Sequence, residues 1–387
     1  MVASPRNTLL RTATVARLPR DLHPVAWWVW AIGLAAYASF TTNPLLLLLL
    51  VGVVSVVVAA RRGEQLWAKA FRLYAGLALF IVVTRVLFRV LLGAVPGHVI
   101  LDLPEIPLPE WVLGIRLLGP LTREALLAGL YDGMRLGAIV LCVGAANALA
   151  NPKRLLRSLP PALYEIGTAV VVAVTVLPQL AESVQRVRAA QRLRAGATGK
   201  VRRLRRFLVP VLEDALERSM ALAAGMDTRG YGRTAGLPAA TRRVTSTLML
   251  VSLVGLCVGV YAILDGTTPG WLAATMLGLG AVAAAGGLTL AGRRVTRTVY
   301  RPDRWRWPEV VVALSGVVVA ATGWWIARDQ VPIAFPAVST APQVTLVAMA
   351  GVLVGLAPAL AAPVPPSLVF EPVSEPVSEA ISTEAVA

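Results

Sequence analysis

The feature that most constrains this chain is a succession of apolar runs, several of them about as long as a bilayer is thick. Of its 387 residues, 57% are hydrophobic and only 15% are charged, whereas soluble domains carry about 25% charged residues. A helix of about 20 residues crosses a bilayer. The sequence therefore predicts an all-α polytopic membrane protein rather than a soluble domain with one anchor.

We predict about eight spans. The first two runs are short and are joined by Thr41-Thr42-Asn43-Pro44, which indicates a tight hairpin. A further run at 166–177 is short for a span, and a crossing there would move a later basic cluster to the other side, so we predict no crossing. The eight runs are 25–40, 44–60, 73–95, 122–149, 244–264, 270–291, 309–327 and 342–362.

Basic residues set the predicted orientation. If each run crosses once, the main Arg and Lys clusters fall on one side, which the positive-inside rule makes cytoplasmic. The formal charge of +16 follows this distribution, so no nucleic-acid partner is predicted. We expect a multi-pass protein of the bacterial inner membrane, in contact with the lipid bilayer, with both termini in the cytoplasm. The clusters are Arg17 and Arg20; Arg61, Arg62, Lys69 and Arg72; and Arg293, Arg294, Arg297, Arg301, Arg304 and Arg306.

A long basic insert separates the fourth and fifth spans. It carries 17 Lys or Arg and six Asp or Glu, a net charge of +11. We predict a helix from about Tyr164 to Arg194, interrupted or kinked at Pro178, and a second from about Arg202 to Met226. The predicted domains are an N-terminal membrane domain 1–149, cytoplasmic helices 150–243, C-terminal spans 244–362 and a disordered acidic tail 363–387.

Polar and small residues inside the spans form a second set of candidates. Charged residues in spans are costly and often functional, but they can also form an ion-pair network that orients two helices. A glycine at every fourth position permits close helix approach, either to a neighbouring helix or to a separate membrane subunit. The charged residues are Arg85, Arg89, Asp132 and Arg135, and the glycines are Gly129, Gly133 and Gly137.

The ordered pieces of this chain resemble the transmembrane T component of energy-coupling factor (ECF) transporters, the CbiQ-like family. The resemblance covers about residues 20–265 and includes two Arg-containing segments, Ala189 to Gly196 and Ala223 to Gly232. The first segment has Ala195 where the family usually has glycine, and the second has Thr228 where alanine is usual. The matching pieces are Asn43-Pro44; Asn151-Pro152 followed by Leu155-Leu156; Val176 to Leu180 before Ala190-Gln191; and Pro210 to Leu212 before Ala221 to Gly232.

This resemblance implies a non-catalytic scaffold without a cofactor. Two cytoplasmic ABC ATPase subunits would bind its motif helix ends, and a separate substrate-binding membrane subunit would pack on its apolar helices. ATP-driven motion would pass through the insert to that subunit and drive uptake of a vitamin or of a transition metal such as cobalt. The implied ATPase-coupling residues are Arg194, Ala195 and Gly196 in the first motif and Thr228, Arg229 and Gly230 in the second.

Two other classes fit the sequence less well. A self-contained secondary transporter predicts broken helices at matching positions of two halves, and the halves of this chain do not match. An integral membrane transferase needs paired carboxylates for a metal–diphosphate, and the insert has no D-x-x-x-D pattern. No nucleophile–His pair or metal-ligand cluster is evident, so no catalytic or metal site is predicted.

Overall fold

The protein is helical throughout almost all of the chain that the computed structural model describes, which confirms the all-α class. It divides into two compact units, one built from Met1–Leu155 and Pro302–Ala387 and the other from Leu156–Arg301. The described residues are 20–63, 70–91, 97–102, 104, 106–107, 116–117, 119–158, 163–193, 200–231, 239–265, 267–292 and 303–365.

The first unit combines the N-terminal helices with the last helices of the chain. Its longest helices pack around a core of large apolar side chains that includes Trp30, Leu34, Tyr37 and Leu50. Its helices are α1 (Pro24–Ser39), α2 (Pro44–Arg61), α3 (Phe71–Leu91), α4 (Arg123–Leu149), α5 (Pro152–Arg157), α10 (Trp307–Asp329), α11 (Val331–Ala334), α12 (Leu346–Leu353) and α13 (Ala357–Ala361).

Local capping explains where several of these helices begin. Asn43 precedes Pro44, and its side-chain oxygen accepts a hydrogen bond from the Leu45 N–H. The Thr122 hydroxyl accepts from the Ala125 N–H in the same way at the start of α4. Proline suits the first turn because its missing N–H has no helical partner there. The predicted hairpin of α1 and α2 is therefore encoded in the turn itself.

Residues 303–365, here called the C-terminal module, pack directly on α1 and α2. The backbones of α1 and α10 approach so closely that a Cβ atom built on Gly33 would lie 2.1 Å from the Gly316 carbonyl oxygen. The Trp30 indole donates to the Gly355 carbonyl at 3.1 Å. The fully buried Asn43 amide donates to the carbonyls of Ile333 and Gln343. The module is thus an integral part of the N-terminal bundle.

Two short ladders, which the sequence analysis did not predict, lie in the described part of the segment between α3 and α4. Strand β1 (Val99–Asp102) pairs antiparallel with β4 (Pro120–Thr122), and β2 (Ile106–Pro107) pairs antiparallel with β3 (Arg116–Leu117). Of the acidic loop residues, Asp102 lies at the end of β1, whereas Glu105 and Glu110 are outside the described residues.

The described residues of the second unit form the helices α6 (Tyr164–Leu193), α7 (Lys200–Thr228), α8 (Ala239–Asp265) and α9 (Gly270–Gly292). Both predicted insert helices are present at close to the predicted bounds. Of the interruption or kink predicted at Pro178, the interruption is wrong, because the backbone is helical through that position. The kink stays a prediction. Helices α8 and α9 pack closely, since a Cβ on Gly255 would lie 3.1 Å from the Gly280 Cα.

Seven helices are long and apolar enough to cross a membrane among the residues that the structure describes. Six of them coincide with predicted spans. The seventh, Ile166–Ala190, lies in the insert, where we predict no crossing. The first predicted span has only 16 helical residues, and the last is a short apolar segment, Leu346–Ala361.

Candidate functional sites

The second Arg motif lies at a well-defined helix end. Helix α7 ends at Thr228, and Gly230 takes the left-handed conformation with φ of +74°. The Tyr231 N–H donates to the Met226 carbonyl at 3.0 Å, and the Gly230 N–H donates to the Asp227 carbonyl at 2.9 Å. These two bonds form a Schellman motif, in which glycine is favoured because it has no Cβ.

This helix end places Arg229 between the helix and the glycine. Its side chain is exposed, and no described residue pairs with its guanidinium. The carbonyls of the last turn make a helix C-terminus favourable for a cation. Within the part of the chain that the structure describes, Arg229 is therefore a fork of N–H donors without a partner at the end of a basic helix, suited to carboxylates of another molecule.

The first Arg motif follows helix α6 directly along the chain. Helix α6 ends at Leu193, directly before the motif. Arg194, Ala195 and Gly196 themselves lie outside the described residues.

We expect Gly230→Ala to loosen the end of α7, whereas Gly225→Ala should tighten the helix. A Cβ would meet nothing within 4 Å at either position, so only backbone conformation distinguishes them. The left-handed conformation costs a residue with a side chain about 1–2 kcal/mol, whereas Ala is preferred to Gly inside a helix by about 1 kcal/mol. Hydrogen exchange of the Gly230 and Tyr231 amides should be faster in the first variant only. Equal exchange in both variants would contradict the assigned helix end.

Side-chain contacts hold α6 and α7 together as the predicted hairpin. Asp214 accepts from Arg186 at 3.4 Å and from Arg218 at 3.1 Å. A hydrogen bond from Ser183, together with these arginines, lowers the pKa of Asp214. The Arg188 guanidinium lies 5.6 Å from the centre of the Phe207 ring, within reach of a cation–π interaction.

One face of α7 carries apolar residues at helical spacing and is only partly covered. Phe207, Val211 and Ala215 are half-buried. Leu212 and Leu216 are 63% and 65% exposed. The helix thus keeps an exposed apolar stripe beside its basic residues.

The glycine ridge of α4 packs on α3, which decides between the two partners that the sequence left open. A Cβ on Gly133 would lie 2.9 Å from the Val82 Cα, and one on Gly129 would lie 3.2 Å from the Val86 Cα. Gly137 faces Ala78. The ridge is therefore used by a neighbouring helix of the same chain.

The four charged residues of these spans do not form one network. Arg89 pairs with Asp132 at 3.2 Å between α3 and α4. Arg135 instead donates to the Ser39 carbonyl at the end of α1. Arg85 is exposed, and no described residue pairs with it. No three His, Cys, Asp or Glu side chains of the described residues are arranged to hold a metal ion.

An ion cluster that the sequence analysis missed lies at one end of the first unit and consists of Arg20, Asp21, Arg154, Asp303 and Glu309. Arg20 forms a bidentate pair with the fully buried Glu309, at 2.6 and 3.1 Å. Arg154 pairs with Asp303 at 2.7 Å and with Asp21 at 3.6 Å. Glu309 also accepts from the Arg306 N–H. The signal available in the sequence was the position of Glu309 three residues after the N-cap residue Arg306, where a glutamate can accept from the N-cap N–H.

These features define a multi-pass helical membrane protein with a basic helical hairpin that ends in an exposed arginine. A family model described as CbiQ, cobalt transport protein, matches residues 16–238, more than half of the chain. The chain therefore belongs to the CbiQ cobalt transport protein family, as its sequence resemblance indicates, and it is a transport component. A search of curated proteins found no match. The C-terminal module lies beyond the family match.

Proposed function

We propose that this protein is the coupling subunit of an ECF-type importer. In this role it binds two cytoplasmic ATPase subunits through its two Arg motifs and transmits their motion to a separate substrate-binding membrane subunit. The observation that carries the proposal is the Arg229 guanidinium, which pairs with no described residue, at the closed end of a basic helix in a chain of a cobalt transport family.

The chemistry of the motif suits this role. A guanidinium presents a planar fork of donors that matches a carboxylate in a bidentate geometry. A helix end that is closed by Gly230 holds the arginine at a fixed distance from the hairpin, so motion of the bound partner moves the whole helix. Arg194, directly after α6, supplies the second contact. The chain itself contributes binding and transmission, and hydrolysis takes place in the partners.

The ion cluster supports a cytoplasmic hairpin. Asp21 precedes α1, Arg154 follows α4 and Asp303 precedes α10, yet they meet within ion-pairing distance. The chain therefore leaves the first unit and returns to it at the same end, which requires an even number of crossings between residues 154 and 303. Helices α8 and α9 supply two. A third crossing by α6 alone would break this parity, and α7 is too charged to add a fourth. Both termini then lie on the side of the hairpin.

The cargo is bound elsewhere in this proposal. The family description points to cobalt, so we propose a transition metal or a vitamin, carried by the separate membrane subunit. The membrane is the bacterial inner membrane, where ATP is available to cytoplasmic subunits.

Affinity purification of the intact chain from native membranes tests the proposal. We expect ATPase subunits and one further small membrane protein to co-purify, and ATP hydrolysis to appear only when the ATPases are present. The homogeneous chain alone, in lipid, should hydrolyse no ATP and carry no Co²⁺. Transport by the isolated chain would overturn the proposal in favour of a self-contained transporter, and ATP hydrolysis by it would overturn the scaffold role.

A further inference from the structure

The root of the basic insert, by which we mean the short helix α5 where the insert begins, contacts two distant parts of the chain. Arg154 lies in α5, and the side chain of Asn151, directly before this helix, caps its first turn. Its Nη2 and Nε atoms donate to Asp303 Oδ2 at 2.7 and 3.1 Å, and its Nη1 atom donates to the Asp21 carbonyl at 3.1 Å. All three nitrogens of the guanidinium are therefore used, which fixes the orientation of the side chain.

Asp303 itself belongs to a module that is firmly held. Six residues further on, Glu309 is fully buried and paired with Arg20 on two bonds. Removal of one partner from such a pair is strongly destabilising, because a buried charge is left unpaired. Beyond the other end of α10, the Asn43 amide and the Thr41 hydroxyl donate to carbonyls of residues 333–343. The module is thus bonded to the bundle near both ends of α10.

We propose that the C-terminal module anchors the coupling insert, with Asp303 and Arg154 as positioning residues that connect the root of the insert to the bundle. This inference rests on the proposed coupling function. Movement of the hairpin reaches the membrane helices only if the insert is attached rigidly where it leaves the bundle. The Arg154–Asp303 pair supplies that attachment, and the buried Glu309–Arg20 pair makes the module rigid enough to serve as its support.

The energetics of the pair fit a role in transmission rather than in folding. Asp303 is 53% exposed and Arg154 is 23% exposed, so the pair contributes little to overall stability. Asp303→Asn and Arg154→Gln should therefore fold, insert and bind ATPase subunits as the natural chain does. What they should lose is the response of the bundle to nucleotide.

Hydrogen exchange of the purified complex, with ATP analogue and with ADP, measures this response. In the natural complex we expect nucleotide-dependent exchange at the end of α7 and also at the first turns of α1 and α10. In Asp303→Asn and Arg154→Gln the response at α7 should be unchanged, whereas the response at α1 and α10 should fall by at least about two-fold, in line with mutations along coupling networks. Co²⁺ uptake per ATP hydrolysed should fall in parallel.

Matched controls separate transmission from a simple loss of charge. Lys153→Gln removes the same charge from an adjacent exposed residue, and Asp329→Asn removes an exposed carboxylate at the other end of α10. Both should respond as the natural chain does, and Asp303→Glu should keep most of the response. An unchanged bundle response in both Asp303→Asn and Arg154→Gln would overturn the anchor while leaving the coupling subunit intact. Failure of the natural chain to capture ATPases would instead overturn the proposed function itself.

Discussion

Reversal of the charge at Arg229 should abolish transport while the membrane helices stay folded. In the proposed complex the guanidinium enters a largely desolvated groove that carries carboxylates. Loss of one partner of such a pair costs about 2–5 kcal/mol, and a glutamate adds repulsion. Each 1.4 kcal/mol is a tenfold change in affinity, so Arg229→Glu should weaken ATPase capture at least about 30-fold. Pull-down and Co²⁺ uptake, measured side by side in cells that express all subunits, test this.

The same result is expected for Arg194→Glu, which tests the first motif independently of the second. Arg229→Lys should be tolerated only in part, because lysine cannot make the bidentate fork. Arg205→Glu is the matched control, since Arg205 is an exposed residue of the same helix and exposed pairs contribute little. Normal transport by both motif variants would show that the arginines merely end their helices. Normal capture without transport would assign them to transmission rather than to affinity.

Gly316→Val should prevent the C-terminal module from docking on α1 and should leave little stable protein. A Cβ at this position would lie 2.5 Å from the Trp30 Cα and 2.9 Å from the Val29 and Trp30 carbonyl oxygens. These are backbone atoms that no rotamer change can move aside. Insertion of methyl groups into tight packing costs about 1–3 kcal/mol, occasionally more, and a backbone contact belongs at the high end. Thermal unfolding in detergent should show a clear fall in Tm.

Gly52→Val provides the matched control for this substitution. Gly52 is also inside an apolar helix of the same unit, but a Cβ there would meet nothing within 4 Å. The change in chemistry is identical, and only the neighbouring backbone differs. If both variants unfolded at the same temperature as the natural chain, the α1–α10 contact would not hold the bundle together.

The sequence predicted those features that depend on local pattern. The long apolar runs locate most helices, and the four-residue glycine spacing marks the face of α4 that packs on α3. Gly230 after Arg229 predicts a helix end, because glycine takes the left-handed conformation without strain. Each of these signals lies within one helix or one turn, where residue spacing determines geometry.

Long-range pairing could not be predicted in the same way. Gly33 and Gly316 meet although nothing in either helix selects the other among the many glycines of the chain. The partners of Arg154 come from both ends of the sequence, and a single sequence contains no signal for that choice. The two short ladders between α3 and α4 were missed because strands of two to four residues leave almost no periodic pattern.

Because the last helices dock on the first, the N-terminal bundle cannot finish folding until the C-terminal helices have been synthesised. Arg20 and Glu309 are 289 residues apart in the chain, so α1 leaves the ribosome long before its partner exists. Until α10 follows, the Arg20 guanidinium and the Asn43 amide must find water or lipid headgroups near the membrane surface. A chain released early would expose the face of α1 that contains Gly33 and would leave Arg20 without Glu309. Quality-control proteases could therefore recognise any product that lacks the last helices as unfinished.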